Sequence, residues 1–378
     1  MSLEPLLASK EIVVVCGAGG VGKTTVAASA AAMAAARLGD KVLVLTVDPA
    51  RRLGDALGLA GLGNVEVKAP AEAFAAAGAS PRGELWAAML DTKQSWDDLV
   101  ARHAPDAATR DAILANPLYQ NVTGRFIQSH HYIAAERLYE IHASGRYDLI
   151  VVDTPPSRHA IDFLEAPERM AEFFSSRFLR LLITPYRSRL VSAASRPFYS
   201  VADRVLGSQL LADIAEFFIL FQTMYDGFVA RARAVRRTLR DERTAFVVVT
   251  TLEAAPAREA AFFLAALAEG GFPLGALVFN RVLPDYFLDP AAAAAARRLS
   301  AAAGDAAAAL GEDAAAARVL REVGESFLNF QIVASREAEH RNALSAGRPP
   351  GSVAAAPHLA GEVAELAGLL ELGGHLWR

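Results

Sequence analysis

Short, almost wholly apolar runs alternate with longer segments of helical pattern along much of this chain. We predict a strand for each of these runs: Glu11–Cys16, Lys41–Val47, Leu85–Leu90, Leu149–Val152, Ala245–Thr250 and Leu274–Phe279, with a weaker candidate at Asn329–Val333. Strands that are apolar on both faces are typical of a parallel sheet covered by helices on both sides. The alternation therefore predicts an α/β fold with a doubly wound, mostly parallel sheet.

Two long segments interrupt this rhythm and have the composition of helices. Trp96–Ile141 is broken at Pro105 and Pro117, and Glu165–Leu239 is rich in Phe, Leu and Arg. We predict that they form a helical subdomain inserted into the sheet domain. The core would then comprise residues 1–95, 142–164 and 240–378, and the helical subdomain residues 96–141 and 165–239.

Three more segments are predicted to be helical. Thr24–Arg37 has helical length and alanine content, and the alanine-rich Pro290–Val323 predicts solvent-facing helices broken near Gly304 and Gly311. Val353–Leu372 is predicted to be the final helix.

Two apolar stripes at helical spacing can be interpreted in two ways. One stripe comprises Leu210, Ile214, Phe217, Phe221, Met224 and Phe228, and the other comprises Met170, Phe174, Phe178 and Leu182. Such stripes form either buried core or a groove for a hydrophobic client helix, and core is the commoner outcome. The adjacent His130 and His131 have no second acidic or histidine pair at helical spacing, which favours packing over metal binding.

Composition and charge limit the classes of partner. The 378 residues carry a formal net charge of −4, and 53% of them are hydrophobic. Nucleic-acid binding needs a basic surface, which this net negative charge does not favour, so we expect no nucleic-acid partner. The N-terminal segment lacks the pattern of a signal peptide, and no apolar run reaches the roughly 18 residues of a membrane span. We therefore expect a cytoplasmic protein.

Cys16 is the single cysteine. A disulfide within the chain and a cysteine-based zinc site within one chain are therefore both excluded, and we expect no zinc.

The strongest chemical motif is a glycine-rich turn between the first predicted strand and the first long helix. The sequence from Gly17 to Thr24 fits G-x-x-x-x-G-K-[ST]. Glycines let backbone N–H groups wrap an anion, and the following helix adds its partial positive charge. The predicted nucleotide-binding residues are Gly17, Ala18, Gly19, Gly20, Val21, Gly22, Lys23, Thr24 and Thr25. The motif predicts a P-loop NTPase that uses ATP and Mg²⁺, with Lys23 on the β- and γ-phosphates and Thr24 on the metal.

Two aspartates are predicted to complete the metal site. Asp153 follows the strand at Leu149–Val152, and Asp48 follows the strand at Lys41–Val47. Both would lie at the carboxyl edge of the sheet, where doubly wound folds bind ligands. Mg²⁺ prefers such oxygen ligands. Either aspartate could instead cap the helix that follows it.

Three motifs in this order carry a resemblance to a known family. The glycine-rich loop, VDPARRLGDALG at Val47–Gly58 and DTPPSRHAIDFL at Asp153–Leu164 resemble the ATPases of the arsenite-pump and tail-anchored-protein-targeting family. The resemblance extends from Ile12 to about Asn280. It looks closest to the bacterial members labelled anion-transporting ATPase-like.

The resemblance implies roles for several residues. Asp48 and Asp55 would belong to switch I, where Asp55 orients or activates the attacking water. Asp153–His159 would be switch II, and Asn280 would read adenine. The alternative for Asp55 is a solvated helix residue, and the alternative for Asn280 is a turn residue at a strand end.

One departure from the family pattern bears on catalysis. Relatives usually carry a second lysine at the loop position held here by Ala18, and that lysine reaches across a dimer to the partner's phosphates. Arg51 or Arg52 could replace it as an arginine finger, although both could equally be solvated residues at a helix start. Alternatively, a related lysine-bearing subunit could supply it, or hydrolysis could be slow.

Three functions compete at this point. The first is a dimeric Mg-dependent ATPase that opens and closes around a protein or membrane client, for protein targeting or membrane-linked transport. The second is a partition- or positioning-type ATPase. The third is a nucleotide-binding regulatory subunit of a heterodimer with little hydrolysis of its own. A single cysteine argues against activation by As(III), which binds clustered thiolates.

Overall fold

The fold is taken from a computed structural model. It describes residues 2–47, 52–59, 61–125, 127–155, 164–169, 172, 208–348, 353–359, 361, 363 and 365–377.

A sheet of eight described strands forms the centre of the fold. The strands are β1 Ile12–Gly17, β2 Lys41–Thr46, β3 Val67–Lys68, β4 Glu84–Met89, β5 Leu149–Asp153, β6 Thr244–Thr250, β7 Leu274–Val282 and β8 Val353–Pro357. Their spatial order is β3-β4-β2-β5-β1-β6-β7-β8. The short β3 is antiparallel to β4, and the remaining neighbours are parallel. The predicted doubly wound, mostly parallel sheet is confirmed.

Helices pack around this sheet and extend from it. The described helices are α1 Glu4–Leu7, α2 Lys23–Arg37, α3 Arg52–Leu57, α4 Ala71–Ala76, α5 Thr92–His103, α6 Ala107–Ala115, α7 Pro117–Arg125, α8 Ile127–Ala143, α9 Ser208–Gln222, α10 Tyr225–Arg240, α11 Ala254–Gly270, α12 Pro290–Ala301, α13 Ala303–Ala309, α14 Ala314–Ser345 and α15 Leu366–Leu376. A 3₁₀ helix spans Asp285–Leu288. None of the described helices is long and apolar enough to cross a bilayer.

The sheet has an apolar core on each face. Along β1, Ile12, Val14 and Cys16 point into one cluster with α5, α8, α10 and α11. Val13 and Val15 point into the other cluster with α2 and α15. Successive side chains of a strand face opposite sides of a sheet, so a strand covered on both faces must be apolar at every position.

The helices predicted around Pro105 and Pro117 are present as α5 to α8, and those predicted for Pro290–Val323 as α12, α13 and the start of α14. Gly311 takes the left-handed conformation with a φ of 74° before α14. The division into a core and a helical subdomain stays a prediction.

Two secondary-structure predictions are wrong. Asn329–Val333 is not a strand but lies within α14, because this short β-branched run has no turn residues beside it and continues a long helical pattern capped at Asp313. Val353–Leu372 is not one helix. Val353–Pro357 pairs with β7 as a parallel edge strand, and only Leu366–Leu376 is helical at the end of the chain. Sheet pairing here outweighs the helical propensity of alanine.

The core interpretation of the first apolar stripe agrees with the burial of four side chains: Phe217, Phe221, Met224 and Phe228. Ile214 is half-buried. The Leu210 side chain and the second stripe, at Met170, Phe174, Phe178 and Leu182, lie outside the described residues. His131 is buried, whereas the His130 side chain lies outside the described part.

Gly324 offers a test of how α14 packs on α12. A methyl group at Gly324 would lie 2.7 Å from the backbone oxygen of Ala296, whereas one at Gly304 in α13 would meet nothing within 4 Å. We expect Gly324→Ala to lower the free energy of unfolding by about 1–3 kcal/mol through overpacking. The control Gly304→Ala should raise it by about 0.5–1 kcal/mol through helix propensity. Denaturant unfolding measures both, and an increase for Gly324→Ala would contradict this packing.

Candidate nucleotide-binding site

The glycine-rich turn begins where central strand β1 ends. Gly17 pairs with Val249 of β6 and has a φ of 153°, and a side chain there would overlap the Val249 carbonyl oxygen. Gly20 and Gly22 follow with φ values of 78° and 90°. Only glycine takes these conformations without a steric cost. The backbone therefore makes a tight turn directly at the carboxyl edge of the sheet.

Lys23 opens α2 and folds back over the turn. Its side chain is buried, and its Nζ donates a hydrogen bond of 2.9 Å to the Ala18 carbonyl oxygen. Ala18 itself is buried, and its methyl group belongs to the apolar cluster beneath the loop. Gly19 and Gly20 are exposed. The turn thus presents backbone to solvent with one ammonium group held against it.

Asp153 joins three elements at this edge of the sheet. It is the last residue of β5 and is completely buried. Its Oδ2 accepts hydrogen bonds from the Thr24 hydroxyl at 2.7 Å and from the Thr46 hydroxyl at 2.9 Å. A buried carboxylate must be stabilised by such donors. The predicted metal-site residues Thr24 and Asp153 are therefore brought together, on α2 and β5.

Thr46 was missed by the sequence analysis. The strand register sets Thr46 of β2 directly beside Asp153 of β5, and its side chain is buried. Sequence offers only a weak signal for this contact, a threonine near the end of an otherwise apolar strand. The register that makes Thr46 a partner of Asp153 is a property of the folded sheet.

Thr154 fixes the chain just after β5. Its hydroxyl donates to the carbonyl oxygen of Val15 at 2.9 Å, and its backbone N–H donates to the same oxygen at 3.2 Å. Both bonds connect this second residue of the predicted switch II to β1. Residues 156–163, which include the rest of that segment through His159, lie outside the described part of the chain.

Asn280 contacts the glycine-rich turn from the other side. Its Nδ2 donates 2.8 Å to the carbonyl oxygen of Val21, and its Oδ1 accepts from the N–H of Arg281 at 3.0 Å. Because one partner is an acceptor and the other a donor, the two bonds fix the orientation of the amide. A side chain at Gly22 would overlap this amide group. Asn280 thus ties β7 to the loop, a contact that neither sequence interpretation included, and its adenine-reading role stays a prediction.

Cys16 lies on β1 just before the loop, and its thiol is buried. Its Sγ lies 3.5 Å from the Val247 carbonyl oxygen. Burial raises the pKa of the Cys16 thiol far above its ordinary value, although the charge of nearby Lys23 opposes the shift. A thiolate is the species that binds soft metals and attacks reagents, so this cysteine is poorly suited to either.

The predicted switch I residues are described only in part. Asp55 is exposed on α3 and borders a cavity of about 310 Å³ between α3, α4 and the start of α15. Its catalytic role stays a prediction. Asp48 and Arg51 lie outside the described residues, as does the side chain of Arg52.

The donor set suits a hard cation and a polyphosphate. Thr24 and Asp153 present a hydroxyl and a carboxylate, the oxygen ligands that Mg²⁺ prefers. Side chains at Gly17 and Gly22 would overlap the Val249 carbonyl oxygen and the Asn280 amide, so glycine is needed for the tight turn that lets backbone N–H groups approach an anion. Thr24 and Asp153 would hold the metal, and the loop the phosphates.

Comparisons with known proteins agree with this geometry. The family model described as anion-transporting ATPase matches residues 10–303. The chain is 31% identical over 274 residues to an uncharacterized protein of Streptomyces coelicolor, a match that covers 72% of this chain and 62% of that protein. It is 27% identical over 216 residues to a protein named ATPase ASNA1 homolog from Leishmania infantum, a match that covers 51% of each. The chain thus spans less than two thirds of the length of either relative.

Asn280→Asp separates loop anchoring from adenine reading. The change keeps the acceptor for Arg281 but replaces the donor to Val21 by an oxygen, which repels the Val21 carbonyl. If the main role of Asn280 is to hold the loop, ATP and GTP affinities should fall together, by about 10-fold or more. Equilibrium binding of both nucleotides measures this, with Asn342→Asp on an exposed face of α14 as control. Loss of ATP binding with GTP binding retained would contradict the anchoring role.

Thr46→Val removes one of the two hydroxyl donors to Asp153 while keeping the side-chain shape. We expect the free energy of unfolding to fall by about 1–3 kcal/mol, because a buried carboxylate loses a hydrogen bond. We also expect the Mg²⁺ concentration needed for nucleotide binding to change. Thr244→Val is the matched control. Thr244 is buried at the start of β6, away from the carboxyl edge that holds the site, and its hydroxyl donates to the Thr238 carbonyl oxygen. Equal Mg²⁺ dependence in both variants would show that Thr46 does not position Asp153.

Proposed function

This chain belongs to the anion-transporting ATPase family, and from that premise we propose that it hydrolyses ATP with Mg²⁺ and uses hydrolysis to open and close a dimer. One observation carries the proposal. Thr24, at the start of the helix after the glycine-rich turn, is joined by a hydrogen bond to Asp153 at the end of the neighbouring strand. A hydroxyl and a carboxylate in these two positions are the protein ligands of the metal in P-loop NTPases.

The loop residues would bind and orient the polyphosphate. The backbone N–H groups of the turn would face the phosphate oxygens, with the N-terminus of α2 behind them. On binding, the Lys23 ammonium would exchange the Ala18 carbonyl oxygen for the β- and γ-phosphates. Mg²⁺, when bound, neutralises the charge that develops on the transferred phosphoryl group. Thr24, Asp153 and Asp48 are the proposed metal ligands.

Asp55 is the proposed water-positioning residue. Phosphoryl transfer depends on geometry and charge neutralisation, so a carboxylate that orients the attacking water contributes much of the rate. Asp55 lies on a short helix in the segment whose sequence resembles switch I, and its exposed side chain would reach the γ-phosphate only after that segment closes. Movement of α3 would then couple hydrolysis to the shape of the dimer.

A second candidate, a nucleotide-binding regulatory subunit of a heterodimer, is favoured by one specific residue. Ala18 places a buried methyl group where relatives usually carry a lysine that crosses to the partner. A lysine-bearing partner would then supply the missing charge. Nucleotide binding without hydrolysis by the isolated chain at every protein concentration would favour this candidate, whereas hydrolysis per subunit that rises and saturates would favour a homodimer.

We propose that the cycle of ATP binding and hydrolysis serves protein targeting or membrane-linked transport, with a protein or membrane client. The name of the Leishmania relative supports an ATPase. The four buried residues of the first apolar stripe are core side chains and so do not supply a client groove. Within the predicted helical segment of residues 165–239, the second apolar stripe remains the proposed place for a client surface.

Asp55→Asn tests the catalytic assignment. We expect single-turnover ATP hydrolysis to fall by about 100-fold or more, because the amide cannot accept a proton from the attacking water. Affinity for ATP should change little. Asp305→Asn, at an exposed position on α13, is the matched control for the loss of one negative charge. An unchanged hydrolysis rate in Asp55→Asn would remove this residue from the mechanism.

A further inference from the structure

An exposed apolar seam runs along α14. Val319, Val323, Phe330 and Val333 are 54%, 54%, 49% and 44% exposed, and Ser326 between them is exposed. Their spacing alternates between four and three residues, which is the 3.5-residue repeat by which one helix packs along another. Contiguous exposed apolar patches often mark interaction sites.

Other parts of the α14 surface are already packed against the chain itself. The buried residues of this helix are Gly324, Ala334 and Leu344. Gly324 lies so close to the backbone of α12 that no side chain would fit without movement. Phe327 and Phe330 pack on Phe287 of the 3₁₀ helix, with ring centroids 5.1 and 5.3 Å apart. The chain thus covers part of α14, including one side of Phe330, while the apolar side chains of the seam keep about half of their surface exposed.

The charged residues beside the seam would pair with those of a second copy that lies antiparallel. Glu322, Asn329 and Arg336 are seven residues apart, lie on one flank of the seam and are all exposed. If a second α14 lies antiparallel with Asn329 at the centre, Glu322 of each copy faces Arg336 of the other. A parallel pair would instead bring Glu322 towards Phe327, which offers no opposite charge. The pattern is that of a two-fold, self-complementary interface.

We propose that two copies of this chain associate through antiparallel α14 helices, independently of nucleotide. The seam residues would interlock at the centre, and two Glu322–Arg336 pairs would fix direction and register. Within its own helix Glu322 has only the exposed Arg318 at 3.7 Å, and such surface pairs are weak enough to rearrange. The inference deepens the dimer of the proposed function and rests only on its assembly part, not on hydrolysis.

The first test uses two apolar residues of α14 with the same exposure on opposite faces. Val323 lies in the seam and is 54% exposed, whereas Ile332 is 53% exposed and lies about 180° around the helix. Sedimentation velocity of the nucleotide-free full chain over a wide concentration range should show a dimer. Val323→Glu should raise its dissociation constant about 30-fold or more, and Ile332→Glu should leave it unchanged. Circular dichroism and thermal unfolding establish that both variants fold.

A charge exchange tests the antiparallel register. Glu322→Arg alone and Arg336→Glu alone should each weaken the dimer about 10-fold, because like charges then face each other twice. The double variant should restore the dissociation constant to within about threefold of the original. Failure of the double variant to recover would overturn the antiparallel arrangement.

Three other outcomes would overturn the proposal as a whole. They are a nucleotide-free chain that stays monomeric at every concentration, equal effects of Val323→Glu and Ile332→Glu, and a monomer that binds anionic phosphatidylglycerol vesicles through the seam. ATP hydrolysis is measured separately on the same samples. A nucleotide-free dimer without hydrolysis would support this interface and argue against the proposed enzyme. Hydrolysis by a chain that dimerises only when nucleotide is bound would support the proposed enzyme and argue against this interface.

Discussion

The buried carboxylate of Asp153 is the constraint on which the candidate site depends. A carboxylate at the end of a central strand with no exposure to solvent requires hydrogen-bond donors, since an uncompensated buried charge is strongly unfavourable. Thr24 and Thr46 supply two of them. These bonds join the helix after the glycine-rich turn to two neighbouring strands, so the position of the proposed metal site follows from the packing of the sheet.

The glycine-rich turn is held from two sides by different chemistry. On one side Lys23 folds back onto the Ala18 carbonyl oxygen, and on the other the Asn280 amide holds Val21. The turn is thus preorganised before any ligand arrives, which lowers the conformational cost of binding a polyphosphate. The same packing leaves Ala18 buried. In the proposed enzyme, the charge that relatives usually carry at this position would come from another group, and assembly would then be linked to catalysis.

The two proposed contacts between copies concern different parts of the molecule. The nucleotide edge of the sheet is polar and built from backbone, and any contact there would respond to the state of the nucleotide. The seam on α14 is apolar with charged flanks and has no described contact with the glycine-rich turn. A nucleotide-independent seam would keep two copies together while the nucleotide edges open and close.

The sequence by itself determined the strands near the site and the glycine-rich turn, because buried parallel strands must be apolar throughout and the turn needs glycine where φ is positive. It also indicated Thr24 and Asp153. It did not determine that Thr46 lies beside Asp153, that the Asn280 amide reaches Val21, or that the alanine-rich Val353–Pro357 joins the sheet. The register between distant strands decides these contacts. Local propensity favoured a helix at Val353–Pro357, and pairing with a distant strand reversed it. At Asn329–Val333 the short β-branched run suggested a strand, whereas the long helical pattern that begins at Asp313 continues through it.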